Sequence, residues 1–158
     1  MIRHMVAIDS KRGIAKDGAI PWDLPSDKTY YRNEIQKHPS ALLMGRKTFE
    51  RAGDWIEGRD CFVLTRDPDF RSVRATVIRD VEELFSKDMD VWVMGGADIY
   101  AFTLSRADEL YITEIDADFE CDRFYPEFRD GFELTRRSQS IHENGLTFRF
   151  NLYKPKQT

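Results

Sequence analysis

Val91-Trp92-Val93-Met94-Gly95-Gly96-Ala97-Asp98-Ile99-Tyr100, written VWVMGGADIY, runs from a short apolar segment through two glycines into a stretch with helix-start character. A short, unbroken run of β-branched and aromatic residues suits a strand covered on both faces. Glycine then lets the chain turn sharply from that strand into a helix. The same plan recurs in ALLMGRKTFE, Ala41–Glu50, with Gly45 at the turn. Working outward, IRHMVAI, CFVLT, ATVIR and LYITEI read as further buried strands. Between them DKTYYRNEIQKH, RKTFERAG, VEELFSK and ADIYAFTLS carry helical spacing or helix-start signals. Strand alternating with helix predicts an α/β fold with a central, mostly parallel sheet and helices on both faces.

The end of the chain breaks the alternation. FELTRRSQSIHENGLTFRFNLYK has two alternating runs around HENG, and Asn144-Gly145 is a strong turn pair. A C-terminal antiparallel hairpin is predicted, which makes the sheet mixed. DADFECDRFYPEF reads as a long, acidic, partly ordered connection. No repeat, low-complexity segment or linker divides the sequence, so residues 1–158 are expected to form one domain.

The 158 residues are 41% hydrophobic and 13% aromatic, enough for one sizeable core. A formal net charge of -4 provides no broad basic field, so no nucleic-acid partner is expected and any phosphate must be held locally. No run of about eighteen apolar residues occurs, so no membrane association is expected and the cytoplasm is the default location. Cys61 and Cys121 lack metal or disulfide-scaffold spacing and read as free thiols. His4, His38 and His142 are scattered among a strand, a pre-proline position and the hairpin turn. Neither a Ser-His-Asp set nor a metal-ligand cluster is visible, which leaves hydrolytic and metal chemistry without support.

Two strand-to-helix turns at the carboxyl ends of strands suggest anion sites, because free backbone N–H groups converge there and glycine admits a close phosphate. Arg46, Lys47 and Thr48 follow Gly45 directly, and Thr65-Arg66 closes the strand CFVLTR. Tight packing alone would also account for either turn taken singly. Neither turn has the Gly-Lys-Ser/Thr ending of a Walker loop or the G-x-G-x-x-G fingerprint. A dinucleotide carrying an extra phosphate fits the paired turns and clustered cations better.

GAIPWDLPSD, Gly18–Asp27, encloses Trp22 between Pro21 and Pro25 and ends in an acid at a helix start. Asp27 also suits a plain first-turn carboxylate. Tyr30 and Tyr31, three and four positions on, give it an aromatic neighbourhood. A carboxylate between apolar walls pairs well with two N–H donors on a flat heterocycle, and burial would raise its pKa.

These residues closely resemble the dihydrofolate reductase family. VAID, GAIPWDLPSD, MGRKTFE, Gly58-Arg59, VLTR, VWVMGGADIYAF, LYITEIDADFECDRFYP and the closing hairpin follow the family order over nearly the whole chain. The resemblance implies NADPH as cofactor and reduction of 7,8-dihydrofolate to tetrahydrofolate, with hydride delivered to C6 and a proton to N5. It also implies a small-molecule substrate, a monomer, and a place in one-carbon metabolism that supports thymidylate, purine and glycine synthesis.

By the same resemblance, Asp27 is the acid of the pterin pocket, Thr113 shares its hydrogen bonds, and Trp22 holds an ordered water. Met5 and Ala7 contact the pterin, and Tyr31, Ala52, Ile56 and Met94 line the space beyond it. Tyr100 lies near the hydride path, and Arg59 clamps the substrate's glutamate carboxylate. Gly95 and Gly96 match a pair joined by a cis peptide. Arg46, Lys47, Thr48, Thr65 and Arg66 hold the cofactor's diphosphate and 2′-phosphate, and Ala7, Ile14, Ile20, Gly45, Leu64, Met94, Ala97, Asp98, Ile99 and Tyr100 complete its site. Ala15 to Trp22 form a mobile lid. Four positions depart from the family pattern: Ala15 and Cys121 stand where glycine is common, Asp98 where some members have arginine, and Lys28 where an apolar residue is usual. A riboflavin-pathway reductase shares the fold without the PW…D pocket, and a non-catalytic folate-binding protein would keep the pocket without turnover.

Overall fold

The apolar runs do become strands in the computed structural model, which describes residues 1–157; Thr158, the last residue of the expected unit, lies outside the described residues. In chain order the elements are β1 (Ile2–Ile8), β2 (Gly13–Ala15), α1 (Pro25–Lys37), β3 (Ala41–Gly45) and α2 (Arg46–Arg51). Next come β4 (Cys61–Leu64), β5 (Thr76–Ile78), α3 (Glu82–Phe85), β6 (Val91–Val93), α4 (Ala97–Thr103) and β7 (Glu109–Ile115). The chain ends with β8 (Arg123–Phe124), β9 (Phe132–Arg137), β10 (Ile141–Glu143) and β11 (Leu146–Pro155).

The main sheet runs β5-β4-β3-β6-β1-β7-β11, with β10 at its far edge and β9 also paired to β11. All pairs from β5 to β7 are parallel, and β11 lies antiparallel to β7. The mixed, mostly parallel sheet matches the sequence reading. From β1 the chain moves to β3 on one side, and it later leaves β6 for β7 on the other. Winding therefore reverses beside β1, and the strand ends there border the crevice where open α/β sheets bind ligands.

Side chains alternate across the strands, so each face has its own core. Leu43, Val93, Leu110 and Ile112 pack with Leu84 of α3 and with Ile99 and Tyr100 of α4. Leu42, Met44, Trp92 and Tyr111 pack with Ile35 of α1 and Phe49 of α2. Helices thus cover both faces, as expected. Truncating a fully buried leucine such as Leu43 to alanine removes about 2–5 kcal/mol from a core of this kind.

Five expectations need correction. VEELFSK forms only one helical turn, Glu82–Phe85, and ATVIR is a three-residue edge strand. The predicted hairpin is a three-strand unit, since β9 and β10 pair with the same long strand β11. The break between them follows from Ser138, whose N–H donates to the Phe150 carbonyl while its hydroxyl oxygen accepts the Phe150 N–H. His142 accordingly lies on β10 and only Asn144-Gly145 form the turn. Finally, DADFECDRFYPEF is fixed to the sheet: β8 pairs with β2, and Tyr125 and Phe128 are buried in the core.

Tyr125 reaches a second buried polar group. His4 on β1 is fully enclosed, with Nδ1 2.8 Å from the Tyr125 hydroxyl and Nε2 2.8 Å from Thr103 Oγ1. Burial holds the imidazole neutral and lowers its pKa to about 3. Because the unfolded chain binds this proton near pH 6.5 and the folded chain does not, stability falls as pH drops below that value. Between pH 7 and pH 5 the wild type should lose about 2 kcal/mol more unfolding free energy than His4→Gln, in which groups common to both proteins cancel. Urea denaturation at the two pH values measures the difference; equal losses would show that His4 takes up its proton as readily in the fold as in the unfolded chain.

Candidate active site

Pro25 fits the first helical position because its missing N–H is not needed there, and this sets Asp27 in the first turn of α1. Across the crevice, β7 pairs with β1 so that Thr113 sits beside Ala7. The Thr113 hydroxyl donates to Asp27 Oδ1 at 2.6 Å. The residue Asp27 is half-buried as a whole, with its carboxyl group enclosed by protein atoms. Removal from water pushes the carboxyl up to about 6; the Thr113 hydrogen bond opposes the shift and the nearby charge of Glu143 adds to it.

The other residues expected at the site fall into two apolar clusters and a few polar contacts. Met5 is buried, and its carbonyl accepts the Tyr100 hydroxyl at 2.6 Å, which ties α4 to β1. Burial, followed by the charge of Asp27, raises the Tyr100 pKa, so the phenol stays a donor. Trp22 packs on Phe119 with ring centroids 5.2 Å apart and, with Ala7, borders the cluster of Leu24, Ile115 and Phe148. Tyr31, Ala52 and Met94 lie against the apolar cluster that contains Met5 and Ile56. Arg59 donates through Nε to the Trp55 carbonyl at 3.1 Å and stacks over the same indole. Tyr30 turns elsewhere and stacks on Phe150 at 3.8 Å. Lys28 also leaves the pocket, its exposed ammonium 3.6 Å from Asp23.

The two glycine turns meet. Gly45 N–H donates to the Gly95 carbonyl at 2.8 Å, and the Gly95–Gly96 peptide is cis. Gly95 has φ +105°, and a Cβ there would lie 3.0 Å from the Tyr100 ring, so a side chain would strain the backbone and crowd that ring. Gly96 faces Thr48, and Ile99 is buried behind Gly45. Arg46 forms ion pairs with Glu50 at 3.5 Å and Asp67 at 4.0 Å, whereas Lys47 and Arg66 are exposed. Leu64 and Thr65 are half-buried at the end of β4, and Ala97 and Asp98 open α4, with Asp98 exposed.

Comparison with known proteins shows the family. A family profile described as dihydrofolate reductase matches residues 1–155. The chain belongs to the dihydrofolate reductase family. The dihydrofolate reductase of Bacillus subtilis (strain 168) is 35% identical over 164 aligned residues, covering 100% of this chain and 96% of that protein. The dihydrofolate reductase of Staphylococcus haemolyticus is 31% identical, covering 97% and 95%. Among solved structures, the dihydrofolate reductase from Enterococcus faecalis complexed with NADP(H) and RAB-propyl superposes with a TM-score of 0.85 at 26% identity, covering 99% of this chain and 97% of that one. Membership in the dihydrofolate reductase family makes the chain an NADPH-dependent oxidoreductase.

The lid expected over a dihydrofolate reductase pocket, Ala15 to Trp22, is fastened on two sides. Asp17 N–H donates to Asp122 Oδ2 at 3.0 Å, and Asp122 N–H donates to the Ala15 carbonyl at 3.0 Å. From α2, Arg51 Nη1 donates to the Gly18 carbonyl. Ile14 is half-buried at the lid's root, and Ile20 is 60% exposed on its outer part. Cys121 packs against Gly13, where an added Cβ would come within 2.5 Å of the cysteine Cβ. Burial and the Asp9 charge push that thiol up to about 11.

Sequence reading missed several residues that hold the site. The buried Asp9 accepts N–H groups from Lys11, Gly13 and Phe119, joining the lid's root to the opposite loop. Arg79 Nη1 donates to the Thr65 and Asp67 carbonyls at 2.7 and 2.8 Å and so shapes the loop that carries Arg66. Glu143 contacts α1 from the hairpin. Only Asp9, directly after an apolar strand in VAID, had a visible signal; Arg79 and Glu143 act through loop geometry that spacing does not reveal. In carboxyl ¹³C NMR of the free protein, Asp27 should titrate near 6, and Thr113→Val should raise that midpoint by about one unit through loss of a charge-assisted bond. An unmoved midpoint would show that the hydroxyl does not stabilise the carboxylate.

Proposed function

We propose that this chain reduces 7,8-dihydrofolate to 5,6,7,8-tetrahydrofolate, with the pterin anchored on Asp27. The observation that carries the reading is one enclosed carboxyl group, lifted to about 6 and bonded to Thr113. Such a group stays protonated in part near neutral pH and can pair with the amino and ring N–H edge of a pterin. Asp27 then binds and orients the pterin and favours protonation at N5 through its field and an intervening water. Thr113 keeps the carboxyl in plane with that edge. Trp22 and the lid exclude bulk water, and Tyr31, Ala52, Ile56 and Met94 make the apolar channel for the aminobenzoyl ring. Arg59, already aligned by its bond to Trp55, receives the glutamate carboxylate.

The opposite side fits a phosphorylated dinucleotide. Gly95 and Gly96 leave backbone open to a close approach beside Tyr100 and Thr48, and Arg46, Lys47, Thr65 and Arg66 supply cations and a hydroxyl for phosphates. NADPH, when bound, supplies the hydride delivered to C6. The NADP(H) bound to the similar Enterococcus faecalis protein supports this assignment. Ile14, Ile20, Gly45, Leu64, Ala97, Asp98 and Ile99 complete the cofactor's wall. Hydride transfer needs two aligned rings and a dry pocket more than reactive side chains, which accords with so few ionisable groups at the centre. The reading extends to a monomer in the cytoplasm that supplies tetrahydrofolate to one-carbon metabolism, and so to thymidylate, purine and glycine synthesis. One chain provides both sides of the crevice, so no second subunit is required.

The absorbance of NADPH should decay on addition of purified protein only when dihydrofolate is present. Asp27→Asn should keep NADPH binding and lose about 10²–10⁴-fold in turnover at neutral pH, the range set by a positioned acid. Unchanged turnover would remove Asp27 from the reaction. Arg66→Ala should weaken NADPH binding about tenfold and leave NADH binding as it was, by loss of one charged phosphate contact. Equal weakening of both cofactors, read by fluorescence titration, would place Arg66 away from the 2′-phosphate.

A further inference from the structure

Helix α1 begins without a cap of its own. Pro25 has no N–H, and Leu24 at the cap position has no side-chain acceptor. The amide of Ser26 therefore has no partner within the helix. It is met by a residue 117 positions along the chain: Glu143, at the end of β10, accepts the Ser26 N–H at 3.0 Å and the Ser26 hydroxyl at 2.5 Å. The next residue, Asn144, donates through Nδ2 to the Asp23 carbonyl at 2.9 Å. The tip of the hairpin thus grips the segment between Trp22 and Asp27 at two points.

We propose that Glu143 is a positioning residue for Asp27: it docks on Ser26, fixes the first turn of α1 and holds a second negative charge beside the pocket acid. The inference rests on the reading of Asp27 as that acid. A serine or threonine cap would satisfy the same amide without a charge, whereas Glu143 adds one next to an enclosed carboxyl. Like charges in a poorly screened place favour protonation of the one less exposed to water. The other groups facing Asp27 do not substitute for it. Thr113 on β7 is neutral, Tyr100 on α4 remains a phenol, and Lys28 on α1 turns outward to Asp23. Burial and the charge of Glu143 act together on Asp27 against the pull of the Thr113 bond.

Glu143→Gln keeps an acceptor for Ser26 and removes the charge. Carboxyl ¹³C NMR of the free protein should then show the Asp27 midpoint lowered by on the order of half a unit, an interaction expected of two partly screened carboxylates. The high-pH fall of kcat/KM for dihydrofolate should move down by the same interval, a loss of about threefold at pH 8, while NADPH affinity and Tm stay unchanged. Ser26→Ala, which removes one of the two bonds to Glu143, should move the midpoint the same way by less. An Asp27 midpoint identical in the wild type and Glu143→Gln would overturn the proposal and leave Glu143 as a helix cap only. The NMR readout does not depend on turnover. A lowered midpoint in a protein that fails to reduce dihydrofolate would therefore uphold the coupling while removing the reductase reading.

Discussion

A carboxyl group taken out of water is the constraint on which this molecule's arrangement depends. Desolvating Asp27 is unfavourable, and the single 2.6 Å bond from Thr113 offsets only part of that cost. The bond exists because β1 and β7 pair in continuous parallel register from Arg3 to Ile8, which aims Thr113 at the crevice. A slip of one residue would turn its hydroxyl to the other face. The sheet's order, the start of α1 at Pro25 and the reach of the hairpin all converge on this one group. It is held in an electrostatically uncomfortable place by a structure with ample apolar burial elsewhere.

Beneath the pocket runs a column of polar groups inside the core. Tyr100 bonds to the Met5 carbonyl, packs against Gly95 and lies in an edge-to-face contact with Tyr125. Tyr125 bonds to His4, which in turn meets Thr103 on α4. These contacts link β1, α4 and the segment after β8 without a free charge. The glycine turn is therefore supported from below by satisfied hydrogen bonds, which resist deformation better than apolar packing alone.

Much of this was legible in the sequence because the determining signals are local. Unbroken apolar runs, glycine turns and the Asn144-Gly145 pair specify strands and their connections within a few residues, and Pro25 fixes where α1 begins. Asp27, Trp22 and Thr113 could be picked out by resemblance, and the first and last then proved to be in direct contact. What escaped were partnerships across long separations. Glu143 reads as part of the HENG turn, Arg79 as the end of the strand ATVIR and Ser138 as part of a strand, and nothing in their neighbours discloses Ser26, Thr65 or Phe150 as partners. The acidic segment around Cys121 failed for a related reason. Its anchors are the Asp9 carboxylate and buried aromatics, which composition averages away.

The lid has a further property. Every hydrogen bond that ties it to the neighbouring loop and to α2 uses its main chain: the Asp17 amide, the Ala15 carbonyl and the Gly18 carbonyl. Side chains of the lid add one ion pair, Lys16 to Glu120, and the packing of Trp22 on Phe119. The hydrogen bonds that dock the lid thus do not depend on the side chains of Asp17 to Ile20, and substitutions there can be selected for the ligand they cover without losing those bonds. The constraint falls instead on the receiving residues, Asp122 and Arg51. Tolerance of Ala15 in a position where glycine is common follows, since its carbonyl is the working part.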